Sequence, residues 1–374
     1  MAVEVESGKR LSVAIVAPSL AILGGQAVQA HRLLDAWRND AEVDAWLVPV
    51  NPPLPPGLRW ASRVKYVRTI ATQLAYWPLL ARELRRADIV HIFSASYWSF
   101  LLAPLPAVVI ARLARRPILM NYRSGEAPDH LRRSAIARAT LRGVRNVVPS
   151  RFLREVFSSH GIDAHVIPNI IDRDRFAFRL RDPLRPRLLS TRNFEPLYNV
   201  ACTLRAFERI QARWPDAALT LVGAGSQERA LRRLAAELKL QNVEFAGPMP
   251  PDAIWRCYAD ADIYIQSPDI DNMPSSVLEA FASGLPVVST NAGGIPAILT
   301  HGVHGLLSAT DDHEKLAAHA LRLLDDRTFA RQVALAAYDV TGELVWERVR
   351  MQWLETYRGL LADPVTVGSP LRTV

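Results

Sequence analysis

The chain has 374 residues, 49% of them hydrophobic and 22% charged, with a formal net charge of +8. This composition excludes an intrinsically disordered chain and leaves room for two domains with separate cores. Two cysteines, Cys202 and Cys257, supply neither a disulfide framework nor a metal-finger motif.

The charge is uneven. Residues 1–168 hold 22 basic against 12 acidic side chains, a surplus of ten, whereas residues 169–374 hold 23 against 25. Only four basic residues are lysine, so the surplus is guanidinium. A basic half steers anionic partners over roughly a Debye length, about 10 Å at 0.1 M salt. Nucleic acid, anionic lipid and phosphorylated substrates all qualify, but no nucleic-acid-binding module is recognisable, so no nucleic-acid partner is expected. The segment Met1 to Arg10 is polar, without the look of a secretory leader, and a reducing cytoplasm is the expected location.

In chain order, a strand is expected over Leu11 to Ala17 and a helix from Gly24-Gly25 to Trp37. A second strand, Val43 to Val50, leads through a proline-rich loop, Asn51 to Gly57, into a helix over Ser62 to Arg86 broken or kinked at Pro78. Strands at Asp88 to Phe93 and Pro117 to Tyr122 flank one helix over Ser96 to Ala114. The uncharged run Ile92 to Ile110 raises the question of a membrane span; Pro104, Pro106 and three serines favour a buried helix. Strands at Val144 to Pro149 and Ala164 to Ile167 close this half.

After a linker at Arg181 to Arg187 the alternation restarts. Strands are expected at Leu188 to Ser190, Ala218 to Gly223, Val243 to Ala246, Ile263 to Gln266 and Val287 to Thr290, with helices at Cys202 to Trp214 and Gln227 to Leu238. Strands separated by helices predict an α/β protein of two Rossmann-like, doubly wound parallel-sheet domains with a cleft between them. The expected divisions are residues 1–180, 181–343 and a tail helix within 344–374. On that helix Val345, Val349, Trp353, Tyr357 and Leu361 share a face, which packs on one domain or bridges both.

The densest chemistry runs from Asp269 to Ser289. Asp271 lies in a proline-broken turn, and Glu279 lies eight positions on in the following helix. The turn places Asp271 and the amides of Met273, Ser275 and Ser276 at a helix N-terminus, which suits a phosphate; simple capping is the alternative. Gly24 and Gly25, at the first strand-to-helix turn, allow close approach of a pyrophosphate or serve only the turn. Arg192, on the loop opening the second half, can grip diphosphate oxygens bidentately or stand solvated. Gly223-Ala-Gly225 lacks the third glycine of a dinucleotide fingerprint, so no nicotinamide cofactor is expected. His91, Arg123 and Glu126 lie at strand ends and are candidate acceptor or phosphate contacts, or structural groups. The helix around Tyr66, Ile70, Leu74 and Trp77, with Arg63, Lys65, Arg68, Arg82, Arg85 and Arg86, suits either a core helix or a peripheral face on anionic membrane.

Several motifs together resemble retaining glycosyltransferases of family 4, which have the GT-B fold. They are Val148-Pro-Ser150-Arg-Phe-Leu, Val166-Ile-Pro168-Asn169-Ile-Ile-Asp172, Leu221-Val-Gly-Ala-Gly225, Val243-Glu-Phe-Ala-Gly247, Asp260-Ala-Asp262-Ile, Asp271 through Glu279 to Gly284-Leu-Pro286, and Ala292-Gly293-Gly294-Ile-Pro296. The resemblance implies a nucleotide-sugar donor held by the C-terminal domain and a glycan, lipid-linked or small-molecule acceptor held by the N-terminal one. It implies Asp271 on the donor sugar, Glu279 on the ribose, Arg192 on the diphosphate and Gly25 in the N-terminal glycine loop. Glycosyl transfer with retention is expected, without a cofactor and without a metal. Three positions depart from the family's pattern. Asp271-Asn272 stands where Glu-Gly is usual, Leu197 and Tyr198 stand near the usual lysine, and Arg123 stands in place of a strand-end histidine. A sugar-nucleotide 2-epimerase and a non-catalytic sugar-nucleotide-binding protein remain the alternatives.

Overall fold

The computed structural model describes residues 10–362 except 23, 55–56, 58–59 and 61–63. The expected helix start at Ser62 and Arg63, and the tail beyond 362, lie outside the described residues. The chain divides into two compact units. The first comprises residues up to Pro149, Arg154–Ile167 and those from Arg350 on; the second comprises Ser150–Leu153 and Pro168–Val349.

The first unit carries strands β1 (Leu11–Ala17), β2 (Val43–Pro49), β3 (Ile89–Ser94), β4 (Ile118–Tyr122), β5 (Arg145–Val148) and β6 (His165–Val166). They form one parallel sheet in the order β2-β1-β3-β4-β5-β6. Every residue of β3 and β4 is buried, as both-face coverage requires. The covering helices are α1 (Gly25–Trp37), α2 (Lys65–Leu84), α3 (Tyr97–Leu102), α4 (Pro104–Leu113), α5 (Ala127–Arg133), α6 (Ala135–Arg142) and α7 (Arg151–Ser158).

One expectation needs correction here. The single helix over Ser96 to Ala114 is two helices, because Pro104 cannot donate to a preceding turn and holds Ala103 out of helical geometry (φ −126°, ψ −65°). In α2, by contrast, the helix runs through Pro78 without a break. Tyr76, Leu80 and Leu84, all fully buried, anchor it on both sides of the proline. No helix among the described residues is long and apolar enough to cross a membrane.

The second unit carries β7 (Arg187–Ser190), β8 (Ala218–Val222), β9 (Val243–Gly247), β10 (Ile263–Ile265), β11 (Val287–Thr290) and β12 (Leu306–Ser308), parallel in the order β12-β11-β10-β7-β8-β9. Its helices are α8 (Val200–Arg213), α9 (Glu228–Glu237), α10 (Trp255–Asp260), α11 (Ser275–Ala282), α12 (His313–Asp325) and α13 (Arg327–Val340). The two-residue period of a strand sorts side chains between two cores. Leu188, Ile263, Ile265 and Val288 join α8, α9 and α12 on one face. Leu189, Tyr264 and Val287 join α11 and Ala337 of α13 on the other.

The change between units falls at Ile167/Pro168 rather than near residue 180. Asn169 Nδ2 donates to Met273 O (2.8 Å), and the Ile171 amide donates to Leu344 O (3.0 Å). Arg181, read from sequence as the start of a linker, is 5% exposed. It donates to Ala261 O (2.8 Å) and Tyr258 O (2.7 Å) and faces the buried Asp262 carboxylate.

The last helix, α14 (Trp346–Ala362), joins the first unit from Arg350 on. Arg350 pairs with Asp40 (2.7 Å) and Glu42 (3.0 Å), and Arg358 also pairs with Glu42. The expected face drifts. Val349, Trp353 and Tyr357 are buried, but so are Leu354 and Leu360, while Leu361 is 41% exposed. A strict four-residue spacing advances about 40° per step around a helix of 3.6 residues per turn, so the stripe rotates away from its partner.

Candidate functional site

In the second sheet the strand order reverses between β7 and β10. Loops after two parallel strands diverge at such a point and leave a crevice at the strands' carboxyl ends. The loop after β7 brings Thr191 and Arg192 there. The loop after β10 brings Gln266 to Asn272 and then enters α11.

Arg192 is 8% exposed. Its Nη2 donates to Asp271 Oδ2 at 2.5 Å, its Nη1 donates to Ser276 Oγ at 3.2 Å, and its guanidinium lies 4.0 Å from the Tyr198 ring centre. Burial alone would lower its pKa, but the Asp271 carboxylate and the surrounding tyrosines outweigh this and hold it above the ordinary arginine value. Its Nε is buried without a hydrogen-bond partner among the described residues. The Asp271 carboxylate is used at both oxygens, since Oδ1 accepts from the Asn272 amide at 2.8 Å.

Glu279 lies one turn further along α11 and is 5% exposed. Tyr258, on α10, donates to Glu279 Oε2 at 2.8 Å. The same hydroxyl is 2.7 Å from Thr191 Oγ1, which also reaches Tyr264 OH at 3.3 Å. Burial and the neighbouring Glu279 carboxylate raise the Tyr258 pKa well above its ordinary value, so this phenol is a fixed donor. Tyr264 and Ser276 both donate to Gln266 Oε1, at 3.3 and 3.4 Å. A continuous polar chain therefore links Glu279 to Asp271 through Tyr258, Thr191, Tyr264, Gln266, Ser276 and Arg192.

Glycines allow these loops to close. Gly293 has φ +51°, and a Cβ there would collide with the Asp271 carbonyl; one at Gly294 would collide with that of Asn272. The same crowding applies at Gly223, where a Cβ would meet the Arg192 carbonyl. Gly223-Ala-Gly225 thus serves as the bed of the Arg192 loop. Asn272 is 3% exposed and accepts from Ser150 Oγ.

The predicted residues therefore sort by unit. Arg192, Asp271, Ser276 and Glu279 form one cluster, with Ser275 opening α11 behind the uncapped Pro274. Met273 turns inward, its Sδ 3.4 Å from the Asn169 amide. The sequence reading missed Tyr258, Thr191, Gln266, Tyr264 and the stacking role of Tyr198. Only the position of Tyr198, six residues after Arg192, marked it out.

Gly24 and Gly25 belong to the first unit, at the N-terminus of α1. Gly24 is extended (φ −177°), and a Cβ on either residue would meet nothing within 4 Å. His91, expected as a candidate contact at a strand end, lies within β3 and is fully buried. Its Nε2 accepts from Asn121 Nδ2 (3.1 Å), so Nδ1 carries the proton toward Tyr357 OH (2.8 Å). Burial, helped by Arg123, pushes its pKa down to about 3, so the ring is a neutral structural group. Arg123 follows β4 directly, donates to Asn121 Oδ1 (3.2 Å) and lies 5.4 Å from the Phe93 ring; burial pulls its pKa down to about 9. Glu126 is the residue before α5, and burial together with Asp129 raises its carboxyl pKa.

On α2, Tyr66, Ile70, Leu74 and Trp77 are 42–77% exposed. Among the described residues no group of three or more His, Cys, Asp or Glu is placed to hold a metal ion.

The profile of glycosyl transferases group 1 matches residues 172–340, and that of glycosyltransferase family 4 matches residues 23–175. A sulfoquinovosyl transferase of Arabidopsis thaliana is 26% identical over 308 residues, 75% of this chain and 59% of that protein. A GDP-mannose-dependent α-(1-6)-phosphatidylinositol monomannoside mannosyltransferase of Mycolicibacterium smegmatis is 26% identical over 322 residues, 78% of this chain and 81% of that protein. The chain spans only 39–59% of the length of the first curated relatives it matches. Among solved structures, Anabaena HepE in complex with UDP and glucose superposes with a TM-score of 0.73 at 18% identity, covering 93% of this chain and all of that one. Two consecutive family profiles and the two parallel-sheet, Rossmann-like units agree, and the chain belongs to family 4 of the glycosyltransferases, with the GT-B fold.

Proposed function

We propose that this protein is a retaining glycosyltransferase. It moves a hexose-type sugar from a nucleotide-sugar donor to a glycan, lipid-linked or small-molecule acceptor, in cell-surface polysaccharide or glycolipid synthesis. The observation that carries this reading is Arg192, a buried guanidinium at the switch point of the second sheet, beside a carboxylate and the N-terminus of α11. Relatives named for sulfoquinovosyl and mannosyl transfer, one of them to a phosphatidylinositol mannoside, support it.

In this reading the anomeric C–O bond to the diphosphate breaks while a bond to the acceptor oxygen forms on the same face. The acceptor proton passes to the departing diphosphate. Arg192 and the α11 amides stabilise the charge that develops there. Asp271 orients the donor sugar, Glu279 holds the ribose, and Gly24 and Gly25 let backbone approach the donor. The donor is already activated, so the reaction as proposed uses no cofactor and assigns no role to a metal. The apolar, basic-flanked face of α2 would hold the protein peripherally on the cytoplasmic surface of an anionic membrane.

A screen of UDP-, GDP- and ADP-sugars for thermal stabilisation, followed by calorimetry, tests the reading. One donor should bind, and Glu279→Ala should abolish its binding; unchanged affinity in that variant would sink the assignment. A non-catalytic sugar-nucleotide binder is the second reading, favoured by Tyr198 and Arg123 where the family pattern has lysine and histidine. Binding without nucleoside diphosphate release, across acceptors, would establish it. A 2-epimerase would instead invert the donor sugar at C2 with no acceptor present.

A further inference from the structure

The first sheet has its own switch point, between β1 and β3, and a pocket of about 930 Å³ opens there. That volume is at the upper end of the roughly 300–1,000 Å³ range of small-molecule sites. Ile22, Pro52, Leu54, Phe93 and Leu102 supply much of its wall. The three amide side chains of the wall are turned to the protein's own use. Gln26 donates to Ser94 O (2.8 Å), Gln73 to Leu102 O (3.0 Å), and Asn51 to Ser19 Oγ (2.9 Å). A sugar placed there would find few partners for its hydroxyls, whereas a hydrocarbon chain needs none.

Two further features identify the occupant. Ile22 and Leu102 line the pocket and are also 55% and 36% exposed, so its apolar wall continues onto the surface beside the Tyr66–Trp77 face of α2. Arg68 is the one charged side chain among the described lining residues, which include no Asp or Glu. We infer that this pocket seats the hydrocarbon chain of an anionic amphiphile whose phosphate-bearing head pairs with Arg68. That this amphiphile is the sugar acceptor rests on the glycosyltransferase reading; its binding does not.

The probes are octyl, decyl and dodecyl phosphate, titrated calorimetrically into the full chain below their critical micelle concentrations. Each buried methylene is worth up to roughly fourfold in affinity, so dodecyl phosphate should bind at least about tenfold tighter than octyl phosphate. Thr72→Trp, which fills the pocket from α2, should weaken dodecyl phosphate binding at least about tenfold. Arg68→Glu should weaken dodecyl phosphate but leave dodecyl maltoside unchanged. Affinity independent of chain length, insensitivity to Thr72→Trp, or equally tight binding of inorganic phosphate would overturn the inference. Stabilisation by nucleotide-sugars, measured on the same variants, reads the donor site separately. Its absence alongside an intact chain-length series would remove the transferase reading and leave the pocket standing.

Discussion

Arg192 and Asp271 form a nearly dry ion pair, with side chains 9% and 13% exposed and nitrogen to oxygen 2.5 Å apart. It ties the loop after β7 to the loop after β10. Removing one member of such a pair strands the other charge, at a cost of roughly 3–5 kcal/mol. Asp271→Asn should therefore unfold roughly 5–10 °C lower than the parent in a thermal scan. Arg192→Lys should not restore donor binding, because a point charge lacks the guanidinium's flat, stacked fork. Equal donor affinity in Arg192→Lys, by calorimetry, would remove Arg192 from the diphosphate site.

The Tyr258 hydroxyl fixes the Glu279 carboxylate. Tyr258→Phe keeps the ring in the core but withdraws the donor, which should cost about 1–3 kcal/mol in urea unfolding. Glu279→Gln retains an acceptor for Tyr258 while losing the charge. If ribose recognition depends on geometry more than charge, Glu279→Gln should bind donor better than Glu279→Ala, and calorimetry on the three variants ranks them.

Gly293 and Gly302 make a controlled comparison, since both have positive φ, +51° and +78°. Alanine at either incurs backbone strain of about 1–2 kcal/mol. Only at Gly293 would the added Cβ also collide with Asp271. Gly293→Ala should thus lose donor binding as well as stability, while Gly302→Ala should lose stability alone.

His91 gives the first unit a pH signature. Its folded pKa is about 3, against about 6.5 unfolded. Between those values the unfolded chain binds a proton that the folded one does not, so stability falls as pH drops from 6.5 toward 3, by at most about 1.4 kcal/mol per pH unit. Asp40 acts in a lower window. Burial alone would raise its pKa, but hydrogen bonds from Arg350 and two backbone amides outweigh this and lower it. Its contribution is present above the unfolded carboxylate value and is lost as pH falls through the folded one. Urea unfolding at pH 7.5, 5.5 and 4.5 should show a flatter profile for His91→Gln.

The exposed face of α2 predicts adsorption to anionic vesicles that weakens steeply with salt. Ile70→Glu with Leu74→Glu should abolish it, while changing stability by no more than about 0.5 kcal/mol per substitution, because both side chains are already exposed. Unaltered vesicle binding in the double variant would take the face out of the account.

Much of the architecture was legible from local pattern. The apolar runs of β1 and β11 and the Asp271–Glu279 turn-and-helix announce themselves, because strand and helix periods depend on near neighbours. Some elements were not read, although the equally short β6 and β10 were. Among those missed are β12, of three residues, and α10, of six. The nature of the 168–181 segment was also hidden, since Arg181 reads as a linker residue until Asp262 and the carbonyls around it are in place.

For this protein the sequence determined the two α/β halves, the order of the strands along the chain, and Arg192, Asp271 and Glu279 as the residues of interest. Tertiary structure alone decided which of them meet. It brought Tyr258 to Glu279 and Thr191 to Tyr258, laid Tyr198 against Arg192, and buried His91 in the core. The reason is physical. Hydrogen bonding and desolvation act over a few ångströms, and residues 67 to 84 positions apart, such as Thr191 and Tyr258 or Arg192 and Ser276, come that close only once the sheet is assembled.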